Sequence, residues 1–240
     1  TFNLRDFSRV VQGVLLQAPS GEFANKSSVM RLWTHEALRV FGDRLTDDND
    51  RKWMCAHAAT MCKEIFRCDF QSEFEHIRPA EETKPGYGTL RRLFWRDYMT
   101  PADEDDRPYV EVRDLQLLQN RTEDSLAEFN QTSKKPMELV MFMFAIERVS
   151  RIARVLRMPG GNALLVGVGG SGRQSLSILA TEMAGYALFR IEITKSYGMA
   201  EWREDIKQCL LNAGVKNKQT TFLFSDTQIV EETMLEDING

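Results

Sequence analysis

A glycine-rich run between an apolar segment and a helix-like segment constrains this chain more than any other feature. The run is Gly167-Val168-Gly169-Gly170-Ser171-Gly172-Arg173-Gln174-Ser175, and it matches the phosphate-binding pattern GxxxxGK[ST] at both glycines. Small residues here let backbone N–H groups converge on phosphate oxygens, and the following helix adds the positive end of its dipole. The sequence therefore predicts that all nine residues form a nucleotide phosphate site.

Two side chains in this run depart from the pattern. Arg173 stands where a lysine normally reaches the outer phosphates, and its planar fork is bulkier than an ammonium group. Gln174 replaces the hydroxyl residue that ligates magnesium, while Ser175 comes one residue late and is turned about 100° around the helix. We expect Gln174 to be at best a weak magnesium ligand.

The segments around the run alternate between strand and helix patterns. Short apolar runs at 163–166, 187–193 and 221–224 predict strands, and the stretches between them predict helices over 176–184 and 199–211. This order is typical of an α/β layer with a parallel sheet. An ordinary glycine turn in an α/β domain remains the alternative to a phosphate site.

The last predicted strand leads into an acidic residue, Asp226, as in a Walker B strand whose aspartate holds the magnesium shell. ATP-hydrolysing AAA+ proteins normally carry a glutamate directly after it, but here Thr227 and Gln228 follow. Neither is a usable general base near neutral pH. The sequence thus predicts a site that holds nucleotide, with no catalytic residue, and turns it over very slowly.

The first third of the chain has helical periodicity. Asn3 with Asp6 resembles a capping pair, Asp47 or Asp48 is expected to cap a later helix, and Pro19-Ser20-Gly21 is expected to end the first. Each helix is predicted to bury one apolar stripe. The members assigned to these stripes are Leu4, Phe7, Val10, Val11, Val14 and Leu15 in the first helix, Leu32, Trp33, Ala37, Leu38 and Phe41 in the second, and Trp53, Met54, Met61, Ile65 and Phe66 in the third.

The middle of the chain is irregular from about 69 to 113. Its acidic run, residues 103–106, is interpreted as a solvated loop, with a cation or partner site as the alternative. Two helices are predicted next, over 114–131 and from Pro136 to Leu156, the second ended by Pro159-Gly160-Gly161.

Composition excludes some classes of function. The 240 residues carry a formal net charge of -4, which argues against a broad nucleic-acid surface, and no apolar stretch approaches the roughly 18 residues of a membrane helix. The N-terminus opens directly into helical periodicity without a signal-peptide pattern, so we expect further chain upstream. The four cysteines are expected to be reduced thiols; a metal site built from Cys62, Cys68, His57 and His76 is the alternative.

The run from Gly161 to Leu176 closely resembles the phosphate loop of the fourth AAA+ module in axonemal dynein heavy chains. Lys195-Ser196-Tyr197-Gly198 with the following Glu201-Trp202-Arg203-Glu204-Asp205-Ile206, and the strand from Phe222 to Ile229, resemble the same module. Phe2-Asn3-Leu4-Arg5-Asp6 and the stretch from Leu32 to Arg39 are similar to the helical lid of the third module. The resemblance covers nearly the whole chain.

The resemblance implies an α/β P-loop (AAA+) partial domain preceded by an all-α helical lid subdomain. The implied boundaries are 1–100 for the lid of the third module, 101–135 for a connecting segment, and 136–240 for the start of the fourth module. The nucleotide would be ATP or ADP, bound by residues 167–175 and Asp226, with Mg held by Asp226 and weakly by Gln174. Arg5 would match the sensor arginine of the preceding module and face that module's nucleotide.

The family also implies a role for the parent protein. It would be an ATP-driven microtubule motor of the cytoplasm and cytoskeleton, working in the axoneme of cilia and flagella, with its main hydrolysis site and coiled-coil stalk outside these residues. Expected partners are other AAA+ modules of the same heavy chain, microtubules, and dynein intermediate and light chains, with no nucleic acid and no membrane.

The family fold implies that this chain alone is incomplete. In AAA+ sheets the phosphate-loop strand lies between the fourth and fifth strands, which would come after residue 240. Residues 163–166 would then lack both hydrogen-bonding neighbours, so we expect these 240 residues alone to be neither a competent ATPase nor a microtubule binder. The alternatives to a motor fragment are a non-catalytic AAA+ scaffold and an unrelated P-loop ATPase.

Overall fold

The computed structural model describes residues 2–17, 25–100 and 107–239. Within these ranges the α-helices are α1 (Leu4–Leu15), α2 (Lys26–Val40), α3 (Asp48–Glu64), α4 (Phe70–Phe74), α5 (Tyr87–Arg91), α6 (Leu115–Thr132), α7 (Met143–Arg157), α8 (Arg173–Ala184), α9 (Met199–Leu210) and α10 (Thr233–Asn239). The strands are β1 (Phe94–Arg96), β2 (Val110–Val112), β3 (Ala187–Phe189) and β4 (Thr220–Phe222).

Helix α1 begins as predicted, but most of its predicted apolar stripe is exposed. Asn3 Oδ1 accepts from the backbone of Arg5 and Asp6, and the Asp6 carboxylate accepts from Asn3 N at 2.9 Å, which confirms the capping pair. The predicted buried stripe is confirmed at Val10 and in part at Val14, but it is wrong for its other members, which are exposed, Leu4 to 85%. Asp6 and Gly13 complete the buried face. The predicted stop at residues 19–21 lies outside the described residues.

Helix α3 also buries a different stripe from the one predicted. Asp47 caps it as expected, accepting from Asn49 N at 2.7 Å. Its buried residues are the small Ala58 and Cys62, whereas Trp53 is 65% exposed and stacks on the His57 ring. Trp53 is therefore not a core anchor. It lines an apolar cavity of about 530 Å³ between α1, α2 and α3.

The first hundred residues are not all-α, because they include β1, one strand of a short antiparallel ribbon. β1 pairs with β2, with Trp95 opposite Glu111. All three residues of β1 are buried, so the strand belongs to the core. A strand of three residues is too short to be recognised from sequence periodicity. The acidic run at 103–106 lies in the part of the chain that the structure does not describe.

Helix α7 begins seven residues later than Pro136, where it was predicted to start. The Asn130 side chain accepts from Met137 N at 2.7 Å and donates to Met137 O at 2.9 Å. Both backbone groups of Met137 are thereby taken out of any helical ladder, so the chain stays non-helical until Phe142. The end at Arg157, before Pro159, is confirmed.

The predicted parallel sheet is present only in part. β3 and β4 pair in parallel with Leu188 opposite Thr221, and α9 lies between them in the chain. Residues 163–166 form no strand among the described pairings, and Leu164 is 91% exposed. A strand requires backbone hydrogen bonds to a neighbouring strand, and residues 163–166 make none to any described segment.

The core that positions the glycine-rich run lies between α7 and α8. Side chains from both helices and from β1 and α6 form one buried cluster: Phe94, Tyr98, Val112, Leu118, Leu126, Met141, Ala145, Ile146, Val149, Ile152, Ala153, Leu176, Leu179, Ala180 and Met183. Arg107 donates to the carbonyls of Met183 and Ala184 at 2.6 and 2.9 Å, which satisfies the C-terminal end of α8. Helix α8 is thus fixed along its length and at its end.

Candidate functional site

The glycine-rich run forms a tight turn into the N-terminus of α8. Gly170 and Gly172 have φ values of +75° and +73°, a left-handed conformation that side chains rarely adopt. Gly172 is the N-cap of α8, so Arg173, Gln174 and Ser175 form its first turn. The segment before the turn is neither helix nor paired strand, and the turn leads into the helix as predicted.

The turn presents unused hydrogen-bond donors. Within the described ranges, no backbone N–H of residues 167–172 donates to a protein acceptor. The Ser171 hydroxyl is buried and has no hydrogen-bond partner there either. No atom lies within 4 Å of where a Cβ of Gly169 or Gly170 would be, so this face of the loop is open. A phosphate group fits such a donor set, because it offers several acceptor oxygens to converging N–H and O–H groups.

The side chains of Arg173 and Gln174 both make contacts within the protein. Arg173 folds back and donates from Nη2 to Val168 O at 3.2 Å. Its Nη1 would lie 3.6 Å from a Cβ built at Gly167, which is an ordinary contact. Gln174 Oε1 accepts from Arg190 at 3.5 Å, a long contact from the residue after β3. The oxygen predicted as a weak magnesium ligand therefore faces a guanidinium group.

Asp226 is exposed and lies on a single turn of 3-10 helix, Asp226–Gln228, beyond the end of β4. Its Oδ1 accepts from Thr227 N at 3.0 Å. The Thr227 hydroxyl lies 3.0 Å from the Ser225 hydroxyl, so the side chain that replaces the usual glutamate turns back on its own loop. No hydrogen bond or ion pair joins Asp226 to residues 167–175 in the described part of the chain.

Gln228 is nearly buried, with 8% exposure, and its amide joins two loops. Oε1 accepts from Ser225 N at 2.8 Å and from the Ser225 hydroxyl at 3.0 Å. Nε2 donates to Ile191 O at 2.7 Å, just beyond the end of β3. Sequence reasoning considered Gln228 only as a poor general base and missed this bridging role.

A buried ion pair connects α2 to α7, the helix that packs along α8. Glu36 is fully buried and accepts from Arg154 Nε at 2.8 Å and from Arg154 Nη2. Its other oxygen accepts from Tyr109 OH at 2.8 Å and from His35 Nδ1 at 3.0 Å. A Cβ at Gly13 of α1 would lie 1.8 Å from Glu36 Oε2, so α1 approaches this carboxylate as closely as glycine permits.

The electrostatics of this pair follow from burial and charge. Burial alone would raise the pKa of Glu36, but the hydrogen bond and charge of His35 and the charge of Arg154 outweigh it and lower the pKa to about 2. Burial lowers the pKa of His35 from 6.5 to about 3, against the opposing effect of Glu36. Burial and the charge of Glu36 raise the pKa of Tyr109. Glu36 is therefore ionised and His35 neutral at physiological pH.

A second set of ion pairs runs beside the first. Arg151 of α7 contacts Asp43 at 3.2 Å and Glu147 at 3.6 Å. Arg39 of α2 reaches the same Asp43 at 3.2 Å, and Arg91 of α5 reaches Glu147 at 2.9 Å. We call the Glu36–Arg154 pair and these contacts the α2–α7 seam. Two of its contacts, Arg39–Asp43 and Arg151–Glu147, are four residues apart, whereas the others join residues too distant in sequence to be paired by pattern.

The remaining predicted site residues are dispersed. Arg5 is exposed at the start of α1, beside the outward apolar stripe. The four cysteines are free thiols, and no group of three or more potential metal ligands occurs in residues 2–17, 25–100 and 107–239. In those ranges no helix is long and apolar enough to cross a membrane.

Two protein-family models match this chain. The family described as P-loop containing dynein motor region D4 matches residues 137–240. The family described as dynein heavy chain, ATPase lid domain, matches residues 1–51. The glycine turn and the Asp226 turn both fall in the first match, and α1, α2 and Glu36 fall in the second.

Curated relatives extend these matches over nearly the whole chain. Dynein axonemal heavy chain 3 of Mus musculus is 47% identical over 238 residues, 99% of this chain and 6% of that protein. Dynein axonemal heavy chain 12 of Homo sapiens is 50% identical over 208 residues, 86% of this chain and 7% of that protein. Dynein axonemal heavy chain 1 of Mus musculus is 42% identical over the full chain, which spans 5% of its length.

Proposed function

This chain belongs to the axonemal dynein heavy chain family, and from that premise we propose that it is part of the motor ring of an ATP-driven microtubule motor. Residues 1–100 would be the lid of the third AAA+ module, 101–135 a connection, and 136–240 the start of the fourth module. The parent protein would work in the axoneme of cilia or flagella, with microtubules, neighbouring AAA+ modules, and intermediate and light chains as partners.

The fourth-module site is proposed to hold ATP or ADP with little or no hydrolysis and to act in regulation or ring integrity. The observation that carries nucleotide binding is the open glycine turn, with its unused N–H groups and the unpartnered Ser171 hydroxyl. Residues 167–175 would bind the phosphates. Asp226 would hold Mg, with the remaining ligands supplied by water and phosphate oxygens, which is the usual coordination of this ion.

The low turnover is supported by Thr227. Its hydroxyl contacts Ser225 and offers no base, so water at the γ-phosphate would lack a proton acceptor from this position. Phosphate release by the intact heavy chain, with the other nucleotide sites disabled, tests the proposal. Turnover of about one per second, at the low end of ordinary enzyme rates, would overturn it.

A non-catalytic scaffold is the second candidate, and the Gln174 contact favours it. Gln174 Oε1 faces Arg190 and Arg173 is folded onto Val168 O, so neither side chain extends toward a ligand. The nucleotide content of the native ring separates the two functions. Stoichiometric ADP or ATP at this site supports the regulatory site, and an empty site supports the scaffold.

Arg5 is proposed as the sensor arginine of the preceding module. It is exposed at the N-terminal end of α1, where its guanidinium is accessible to a nucleotide from outside these residues. Replacing it with glutamine should weaken nucleotide affinity at the third module while leaving the fourth unchanged. Site-resolved nucleotide binding to the intact heavy chain measures this difference.

A further inference from the structure

Two loops lie beyond the ends of the parallel strands β3 and β4, the edge where ligands bind in open α/β sheets. One contains Ile191, which is 4% exposed, and the other runs from Ser225 to Gln228. The Gln228 side chain connects them. It accepts two hydrogen bonds from Ser225 and donates one to Ile191 O.

A glutamine amide suits this position because it carries an acceptor and a donor on one rigid plane. Ser225 N and Ile191 O are backbone groups of opposite kind, so a carboxylate or an apolar side chain would leave at least one of them unpaired. The backbone N–H of Gln228 also donates to Ser225 O at 2.9 Å, so a backbone and a side-chain hydrogen bond together close the turn. Asp226 is held inside this closed turn.

We propose that Gln228 is a positioning residue that fixes the Asp226 turn against the end of β3 and thereby sets the direction of the carboxylate toward magnesium. This inference rests on the proposed nucleotide site. Gln228 contacts no phosphate in this scheme. It acts through the turn that carries Asp226 and not through a hydrogen bond to the carboxylate, whose Oδ1 accepts from Thr227 N; groups beyond a metal ligand can orient it in this way.

The intact heavy chain with its other nucleotide sites disabled allows a direct test. The dissociation constant of a fluorescent ADP is measured in excess Mg²⁺ and again in EDTA for wild type, Gln228→Met and Gln208→Met. Gln208 is an exposed glutamine of α9, so it controls for the substitution itself. We expect Gln228→Met to raise Kd in Mg²⁺ about tenfold or more, the usual effect of losing an outer partner.

The EDTA measurement separates positioning from general damage. Binding without metal should be unchanged in Gln228→Met, so the ratio of the two constants should fall toward one. Equal weakening in Mg²⁺ and EDTA, or no weakening, would overturn the positioning role. If Gln228→Met does not fold, Gln228→Asn carries the same test without a change of charge, since its amide is one methylene shorter and cannot reach Ser225 N and Ile191 O at once.

The two proposals fail in different ways. A wild-type protein that binds ADP in neither condition overturns the nucleotide site itself. A different result overturns only the assignment of Gln228. In that case the wild-type protein binds ADP more tightly with Mg²⁺ than in EDTA, and Gln228→Met shows the same ratio of the two dissociation constants.

Discussion

Arg154 and Glu36 are separated by 118 residues and meet as a buried ion pair, with Arg154 Nε donating to Glu36 Oε2 at 2.8 Å. Glu36 lies in the part matched by the ATPase lid family and Arg154 in the part matched by the motor region. Helix α7 packs along α8, which begins at the glycine turn. The pair therefore connects the part of the chain matched by the lid family to the helix that packs along α8 and its glycine turn.

Replacing Glu36 with glutamine should destabilise this seam strongly. Removing one partner of a buried pair typically costs about 3–5 kcal/mol, because Arg154 would remain buried without its counterion. Hydrogen exchange of α2 and α7 amides in the intact heavy chain measures the loss. Glu64→Gln, on the exposed end of α3, is the control. A Glu36→Gln/Arg154→Met double variant should lose less than the sum of the two singles; simple additivity would rule out a coupled pair.

The pH dependence of the seam should come from His35. Its pKa is lowered by burial from 6.5 to about 3 in the folded chain, so folding favours the neutral ring. The resulting stability is complete above pH 6.5 and falls as pH drops toward 3, by up to about 1.4 kcal/mol per pH unit. Glu36, with a folded pKa near 2, adds a loss only below its unfolded value of 4.5.

Hydrogen exchange of α2, corrected for the intrinsic effect of pH, provides the measurement between pH 6.5 and 5. His35→Gln should flatten the slope, and His57→Gln, on the exposed face of α3, should leave it as in wild type. An unchanged slope in His35→Gln would show that another group carries the pH dependence.

Replacing Gly172 with alanine should weaken nucleotide binding. The position has a φ of +73°, and a left-handed residue other than glycine costs about 1–2 kcal/mol. A loop that relaxes from this conformation moves its N–H groups off the phosphates, so Kd for ADP should rise about tenfold. Gly214→Ala is the control, because that glycine has open space around it and no positive φ. Equal affinities in the two variants would refute the role of the turn.

Replacing Thr227 with glutamate should raise hydrolysis at this site. Thr227 is exposed, so the longer side chain has room, and a positioned general base typically contributes about 10²–10⁴-fold. Phosphate release by the intact heavy chain with its other sites disabled measures the gain. Thr227→Gln has the same size without the base and should stay at the wild-type rate. If both variants behave alike, the missing carboxylate is not what limits turnover.

Local features of this fold could be predicted from the sequence. A few adjacent residues determine the caps at Asn3 and Asp47 and the glycine turn into α8, so the local sequence pattern is enough to predict these features. Most of the buried face of α1, apart from Val10, and the buried face of α3 were predicted wrongly, because periodicity shows that a helix has an apolar face but not what covers it. Trp53 illustrates this, since it is large and apolar yet 65% exposed.

Long-range contacts could not be predicted from the sequence. The start of α7 depends on Asn130 bonding Met137, and the bridge at Gln228 depends on Ile191 being brought beside it by the sheet. Nothing in the sequence around Glu36 distinguishes it from a surface glutamate. These contacts exist only once the elements have packed, which is why a single sequence without its fold leaves them out.

The unpaired apolar segment before the glycine turn affects how these residues would behave on their own in solution. Leu164 and Val166 are 91% and 86% exposed, and the backbone between them has no strand neighbour in the described part of the chain. An open apolar edge of this kind is a template for pairing with any extended chain it meets. At high concentration, separate molecules of these 240 residues should therefore associate through this edge, and aggregation should limit their solubility.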